Sequence, residues 1–216
     1  MFRPEDFLDF SACEHRALFE SCSQVWEALR QIGPYLKFRL QPGMEGTLIG
    51  NPFIGKDVFI GEGTVVEPGA YIQGPAWIGR NCVVRHGAYV RGQVIIGNHC
   101  VLGNSCEFKN CILFDGCEVP HFAYVGDSIL GHKAHLGAGV ICSNVRLDRR
   151  EIVVRAKGQS FETGLRKFGA IVGDGCEVGC HSVLNPGSIL GRGAKVMPGT
   201  IFVGVLEAGG IGRSQR

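Results

Sequence analysis

Nowhere in its 216 residues does this chain hold an unbroken apolar run of membrane-spanning length, so no transmembrane helix is expected. A basic stripe is also missing. Lys and Arg are scattered and the formal net charge is +2, which removes the electrostatic footprint of a nucleic-acid surface. The opening MFRPEDFLDF has neither the basic head nor the apolar stretch of a signal peptide. These absences predict a soluble, cytoplasmic protein with no membrane and no nucleic acid among its partners. Ten cysteines are present, but none forms a CxxC pair. Without a secretory signal they do not read as a disulfide framework.

What is abundant is glycine, 33 residues spread through the chain rather than pooled in linkers. Its distribution follows a period of six. From Ile54, an aliphatic or aromatic residue recurs at Ile60, Val66, Ile72, Ile78, Val84, Val90, Ile96, Leu102, Phe108 and Phe114. The beat returns at Val172, Val178, Leu184, Leu190, Val196 and Phe202. A second column, two residues earlier, is almost all small and includes Cys82, Cys100, Cys106 and Cys176. Six is too long for a helical stripe and for simple strand alternation. It fits a short strand and a turn, with one large and one small side chain pointing into a narrow interior. Stacked units of this kind make a parallel β-helix. The cysteines of the small column are then buried fillers.

Residues 1–44 lack the beat and form an N-terminal helical cap. HRALFESCSQVWEALRQIG places Ala17, Leu18, Val25, Trp26, Leu29 and Ile32 at helical spacing, and Gly33-Pro34 is expected to stop the helix. A helix laid on the end of the β-helix would cover open strand edges. Residues 45–208 form the β-helix domain, and 209–216 a loose tail. An insertion at 145–170 breaks the repeat with an excess of Lys and Arg over Asp and Glu. Its charge points to an anionic ligand nearby, and its length would let it reach a neighbouring subunit.

The beat also slips at CEVPHFAYVGDSILG. Pro120 to Leu130 spans ten residues, read as two five-residue units, PHFAY and VGDSI. A shortened unit re-aims its side chains, as a bulge does in an ordinary sheet. The slip carries a titratable His121 and a tyrosine, Tyr124, which marks it as a candidate site.

The blocks EFKN, PHFAYVGDSILG, LGAGVICSNVRLD and RKFGAIVGDGCEVGCHSVLNPG resemble a known family. It is the hexapeptide-repeat acyltransferases. Within it, residues 50–205 are similar to the acetyltransferase domain of the bifunctional glucosamine-1-phosphate acetyltransferase/N-acetylglucosamine-1-phosphate uridylyltransferase. They are more similar still to the archaeal sugar-1-phosphate nucleotidylyltransferases that carry an acetyltransferase half. The resemblance implies a mainly β protein, a left-handed parallel β-helix of hexapeptide repeats with an N-terminal helical segment. The hand comes from the resemblance alone, because ordinary parallel crossovers take the opposite one. No nucleotidyltransferase half is expected within residues 1–40, which leaves that activity to a separate partner. The implied activity is N-acetyl transfer from acetyl-CoA, as co-substrate and with no metal, to a hexosamine 1-phosphate, within a homotrimer.

The roles implied by the resemblance follow position by position. His121 is the general base that takes a proton from the attacking amine, a task suited to an imidazole near neutrality. Glu107 lies near it to orient or polarise it. Tyr124 and Asn144 hold the sugar. Arg91, Lys109 and Lys167 hold its phosphate through charge-assisted bonds. Gly137 and Ala138, in LGAGV, bring backbone N–H groups to the thioester oxygen, and Cys180 and Pro198 touch the CoA arm. His135 stands where the bacterial enzymes have asparagine, so the sugar-hydroxyl contacts differ here. Two other readings of the same repeat are a γ-class carbonic anhydrase-like zinc enzyme, with His86, His121, His132 and His135 as candidate ligands, and a non-enzymatic scaffold. The paired-histidine spacing of the carbonic anhydrases is missing.

Overall fold

A computed structural model describes residues 1–11 and 13–214. From Gly43 the chain winds into nine coils, whose short strands stack into three parallel sheets of nine, nine and eight strands. Face A starts at Gly43–Met44 and Val58–Ile60, face B at Thr47–Leu48 and Val65–Val66, and face C at Phe53–Ile54 and Tyr71–Ile72. In the early coils each residue pairs with the one eighteen further on, three hexapeptides per turn: Ile60 with Ile78, Val66 with Val84, Ile72 with Val90. The expected parallel β-helix is therefore present.

The two inward columns explain the interior. Ile60, Val66, Ile72, Ile78, Val84 and Val90 are fully buried, each worth about 2 kcal/mol of apolar burial. Between them sit the small residues. The thiols of Cys82, Cys100 and Cys176 point at carbonyl oxygens of Gly97, Phe114 and Gly191, 3.0–3.1 Å away. These cysteines fill space and stay satisfied. All ten cysteines are free.

The beat does not run unbroken to Phe114. Leu113, not Phe114, pairs with Ile96, and the coil that joins them has seventeen residues instead of eighteen. The missing residue is lost at the corner after Lys109. A second is lost after Gly126, because Leu130 pairs with Leu113. So there is one five-residue unit from Phe108 to Leu113 and another from Val125 to Leu130. Val119 and Val125 are the inward residues between them, and the pair PHFAY/VGDSI is not the true division. The two short corners turn through Asn110 and Asp127, each with φ 47°, a left-handed conformation that Asn and Asp tolerate better than most side chains. The slip brings Cys111, Cys117 and Cys142 inside as well, and turns Phe114 outward against Phe10 and Phe19.

The N-terminal segment also departs from expectation. Residues 16–27 hold short 3-10 turns, and the α-helix runs Ala28–Arg39, through Gly33 and Pro34. Packing overrides the proline: Leu29, Ile32 and Leu36 are buried along one side. The segment does not sit on the end of the β-helix. It lies along face A, whose outward residues Ile95, Ile112, Ile129, Ile171 and Ile189 join Trp26 and Phe19 in one buried cluster. An outward column that runs Phe59, Trp77, Ile95, Ile112, Ile129, Ile171, Ile189 and Val205 cannot be left in water, so it recruits the cover.

The insertion leaves after Cys142 and rejoins at Ala170. It carries an antiparallel hairpin, Val153–Ala156 with Gln159–Glu162. It folds back onto the chain's own cover of face A. Ile152, Val154, Leu165 and Phe168 are buried in the same cluster, and Phe2 meets Phe161 edge-on at 5.1 Å. At the other end, Ile211 and Gly212 pair with Lys195 and Val196, so that part of the expected tail is the last strand. Gln215 and Arg216 lie outside the described residues.

Candidate active site

The B/C corner stacks one residue per coil. The N–H of Phe122 donates to the Asn104 carbonyl, that of Gly139 to His121, that of His181 to Ala138, and that of Gly199 to Cys180. His121, Ala138, Cys180 and Pro198 thus form a continuous line along one edge of the prism. His121 closes the strand Glu118–His121 and is exposed. Phe122 follows it at φ 52°, with its ring 60% exposed. The left-handed turn is the regular conformation of this corner, shared by Ser105, Gly139, His181 and Gly199.

Next along the corner, the N–H groups of Gly137 and Gly139 are engaged by the carbonyls of Val178 and His121. Those of Ala138 and Cys180 have no acceptor among the described residues. Of the backbone donors in LGAGV, Ala138 is therefore the one left free to meet a ligand. Gly137 serves close packing instead, since a Cβ there would lie 2.8 Å from the Cys180 nitrogen and 3.0 Å from its sulfur. Cys180 is the exposed cysteine of the chain.

Three residues after His121, Tyr124 opens the strand Tyr124–Gly126 on face C. Its ring folds over Gly126, where a Cβ would collide with the phenol. Asn144 donates its side-chain N–H to the Tyr124 hydroxyl at 3.1 Å and to Asp127 at 2.5 Å. Asp127 is 3% exposed and also receives Asn110 at 2.8 Å and Lys109 at 3.1 Å. One buried carboxylate thus ties both short corners to the face. Burial, then the nearby Asp127 and Glu107 carboxylates, push the Tyr124 phenol above its ordinary pKa. The phenol stays protonated, and with its oxygen accepting from Asn144, its own proton is free to donate.

Two further expected site residues lie on other elements. Glu107 pairs in register with Tyr124 on face C, and its carboxylate holds Arg91 at 2.5 Å. Lys167 is exposed on the returning arm of the insertion and borders a cleft with Asn110 and Asp127. The histidines weighed as metal ligands are dispersed: His86 contacts the Pro68 carbonyl, His132 that of Asp9, and His135 the Glu177 carboxylate. No group of three His, Cys, Asp or Glu side chains converges among the described residues.

Sequence reasoning missed Asp127 and Asn110. Asp127 stood inside the quoted YVGDS, but nothing in its composition showed that it would be buried. The signal was the spacing: both residues occupy five-residue units, and the first of these was hidden because Phe114 could pass for the inward residue.

Comparison with known proteins adds the following. The family model described as the GMPPB C-terminal domain matches residues 72–158. A bifunctional sugar-1-phosphate nucleotidylyltransferase/acetyltransferase of Sulfurisphaera tokodaii is 35% identical over 100 residues, covering 46% of this chain and 25% of that protein. The bifunctional protein GlmU of Methanococcus maripaludis is 33% identical over 183 residues, covering 85% of this chain and 44% of its own length. The chain thus spans less than half of these relatives. Among solved structures, an Arabidopsis UDP-N-acetylglucosamine acyltransferase matches over 77% of this chain and 68% of its own, at 16% identity and a TM-score of 0.37.

Proposed function

Because this chain belongs to the hexapeptide-repeat acyltransferases and is homologous to the GlmU-type nucleotidylyltransferase/acetyltransferases, we propose that it is an acetyltransferase. Acetyl-CoA gives its acetyl group to the amine of a hexosamine 1-phosphate. The observation that carries this reading is the adjacency of two lines of residues. One is the B/C corner of His121, Ala138, Cys180 and Pro198. The other is the Tyr124–Asn144–Asp127–Lys109 network that begins three residues later.

The CoA arm runs along the corner past Pro198 and Cys180, and the thioester oxygen takes the free N–H of Ala138. The sugar lies on face C, held by Tyr124 and Asn144. Arg91 and Lys109 face its phosphate, with Glu107 and Asp127 setting their positions, and Lys167 approaches from the insertion. His121 takes a proton from the amine as the nitrogen attacks the carbonyl carbon. The C–S bond then breaks, and the thiolate leaves with a proton as CoA. The donor at the oxyanion lowers the barrier by electrostatics. No acyl-enzyme is needed, because a deprotonated amine is itself a sufficient nucleophile. The working assembly is a homotrimer of left-handed β-helices with CoA between neighbours.

The test is thiol release from acetyl-CoA against a panel of hexosamine phosphates. His121→Ala is expected to lower turnover by roughly 100-fold with an unchanged melting temperature, because the side chain is exposed and outside the core. Wild-type turnover by the variant would remove the base from the mechanism.

A further inference from the structure

We propose that Arg30, from the N-terminal helix, forms an anion receptor with Lys167 that reads the phosphate of the substrate, so that the cover of face A is also part of the site. The inference deepens the acetyltransferase reading and rests on it for the identity of the ligand, but not for the site itself. Three segments far apart in sequence meet at the A/C corner: the helix Ala28–Arg39, the two short corners, and the returning arm of the insertion. Between them is an open cleft of about 380 Å³, lined by Arg30, Gln93, Asn110, Asp127, Leu165 and Lys167.

Charge decides what the cleft takes. Four cations surround this corner. Arg91 is held by Glu107 at 2.5 Å and Lys109 by Asp127 at 3.1 Å. Arg30 and Lys167 have no carboxylate within salt-bridge range among the described residues. The one carboxylate in the cleft wall, Asp127, is already matched by Lys109, Asn110 and Asn144. The wall therefore presents two uncompensated cations and the exposed side-chain amide of Gln93, a donor set for a phosphate. Arg30 is also fixed in place. One of its nitrogens donates to the carbonyl of Gly164, in the insertion, while a guanidinium has five N–H donors in all. The remaining edge can grip two oxygens of an anion. The bond to Gly164 also joins the helix to the arm that carries Lys167, so the two cations are positioned together.

The experiment uses the full chain. Inorganic phosphate is titrated by calorimetry into wild type, Arg30→Gln, Arg30→Lys and Arg166→Gln. Glutamine keeps an amide donor for the Gly164 carbonyl and removes the charge. Arg166 is an exposed cation of the same insertion outside the cleft. The expected result is a loss of phosphate affinity of about tenfold or more for Arg30→Gln, on the scale of one charge-assisted contact. Arg30→Lys should keep part of the affinity, Arg166→Gln all of it, and the melting temperatures should match. In the transfer assay Arg30→Gln should raise KM for the hexosamine phosphate by a similar factor, leave kcat in place, and leave KM for the unphosphorylated hexosamine unchanged. Acetyl transfer with a KM indifferent to Arg30 overturns this receptor and leaves the acetyltransferase standing. Arg30-dependent phosphate binding without acetyl transfer to any hexosamine phosphate does the reverse. Equal losses in Arg30→Gln and Arg166→Gln would reduce the effect to general surface charge and also overturn it.

Discussion

Asp127 shows how one side chain can hold a site together without touching the chemistry. It is buried, accepts from Lys109, Asn110 and Asn144, and through Asn144 fixes the phenol of Tyr124. Asp127→Ala strands two amide donors and frees Lys109. Because Lys109 is partly exposed and can turn to water, the expected loss is about 2 kcal/mol of stability, in the range for hydrogen bonds to a charged group, and not the full penalty for orphaning a buried charge. Urea unfolding measures it. Acetyl transfer should fall further than stability does, since Tyr124 loses its anchor. Cys180 offers a second residue-scale test. The other cysteines are buried or half-buried, and burial raises the thiol pKa of Cys13, Cys22 and Cys176 to about 11. A maleimide should therefore label one thiol quickly in the folded chain. Cys180→Ser should abolish that labelling, and acetyl-CoA should slow it. Labelling that acetyl-CoA does not slow would move the CoA arm off the corner.

At the scale of elements, the N-terminal cover carries a pH-dependent weak point. His15 is 6% exposed, packs edge-on against Trp77 at 5.1 Å, and meets the Tyr35 hydroxyl through Nδ1 at 3.1 Å. Its Nε2 is buried without a partner. Burial, helped by the nearby Arg39 and opposed by Asp115, lowers its pKa from 6.5 to about 4. The unfolded chain therefore binds a proton below pH 6.5 that the folded chain refuses until about pH 4. Stability is then full above pH 6.5 and falls as the pH drops toward 4, by about 3 kcal/mol if His15 acts alone. His15→Gln should flatten the slope in denaturation curves measured between those limits. An unchanged slope would assign the loss to other groups. The segment matters beyond stability, because the same cover supplies the helix that borders the cleft at Asn110 and Asp127.

For the whole molecule, the outward column of face C holds Phe53, Tyr71, Tyr89 and Ile201, between 37% and 70% exposed. Phe53 and Tyr71 stack at 4.2 Å, and Tyr71 meets Tyr89 at 5.5 Å. Face A buries its isoleucines under the chain's own cover, whereas this aromatic ladder has none. A homotrimer about a threefold axis would cover such surfaces. Light scattering is expected to report three chains, and Tyr71→Lys to shift the population toward single chains with reduced acetyl transfer. A fully active single chain would overturn the trimer.

The period of six determined the coil: a large and a small inward residue per unit can be satisfied only by stacking, so Ile60, Ile78 and Ile96 were legible as core from the sequence alone. His121 and Tyr124 were legible as a candidate site because the beat slips close to them, although strand pairing places both in a regular unit between the two short corners. What the sequence could not decide were things that depend on contacts between distant residues. Phe108 to Phe114 keeps a perfect spacing of six, and only strand pairing shows that Leu113 takes the inner slot. Gly33-Pro34 reads as a stop, yet burial of Leu36 on face A carries the helix through it. Asp127 reads as a turn residue. Its weight comes from Lys109, Asn110 and Asn144, which converge on it only when the coils stack and the insertion folds back, and local chemistry carries no record of that convergence.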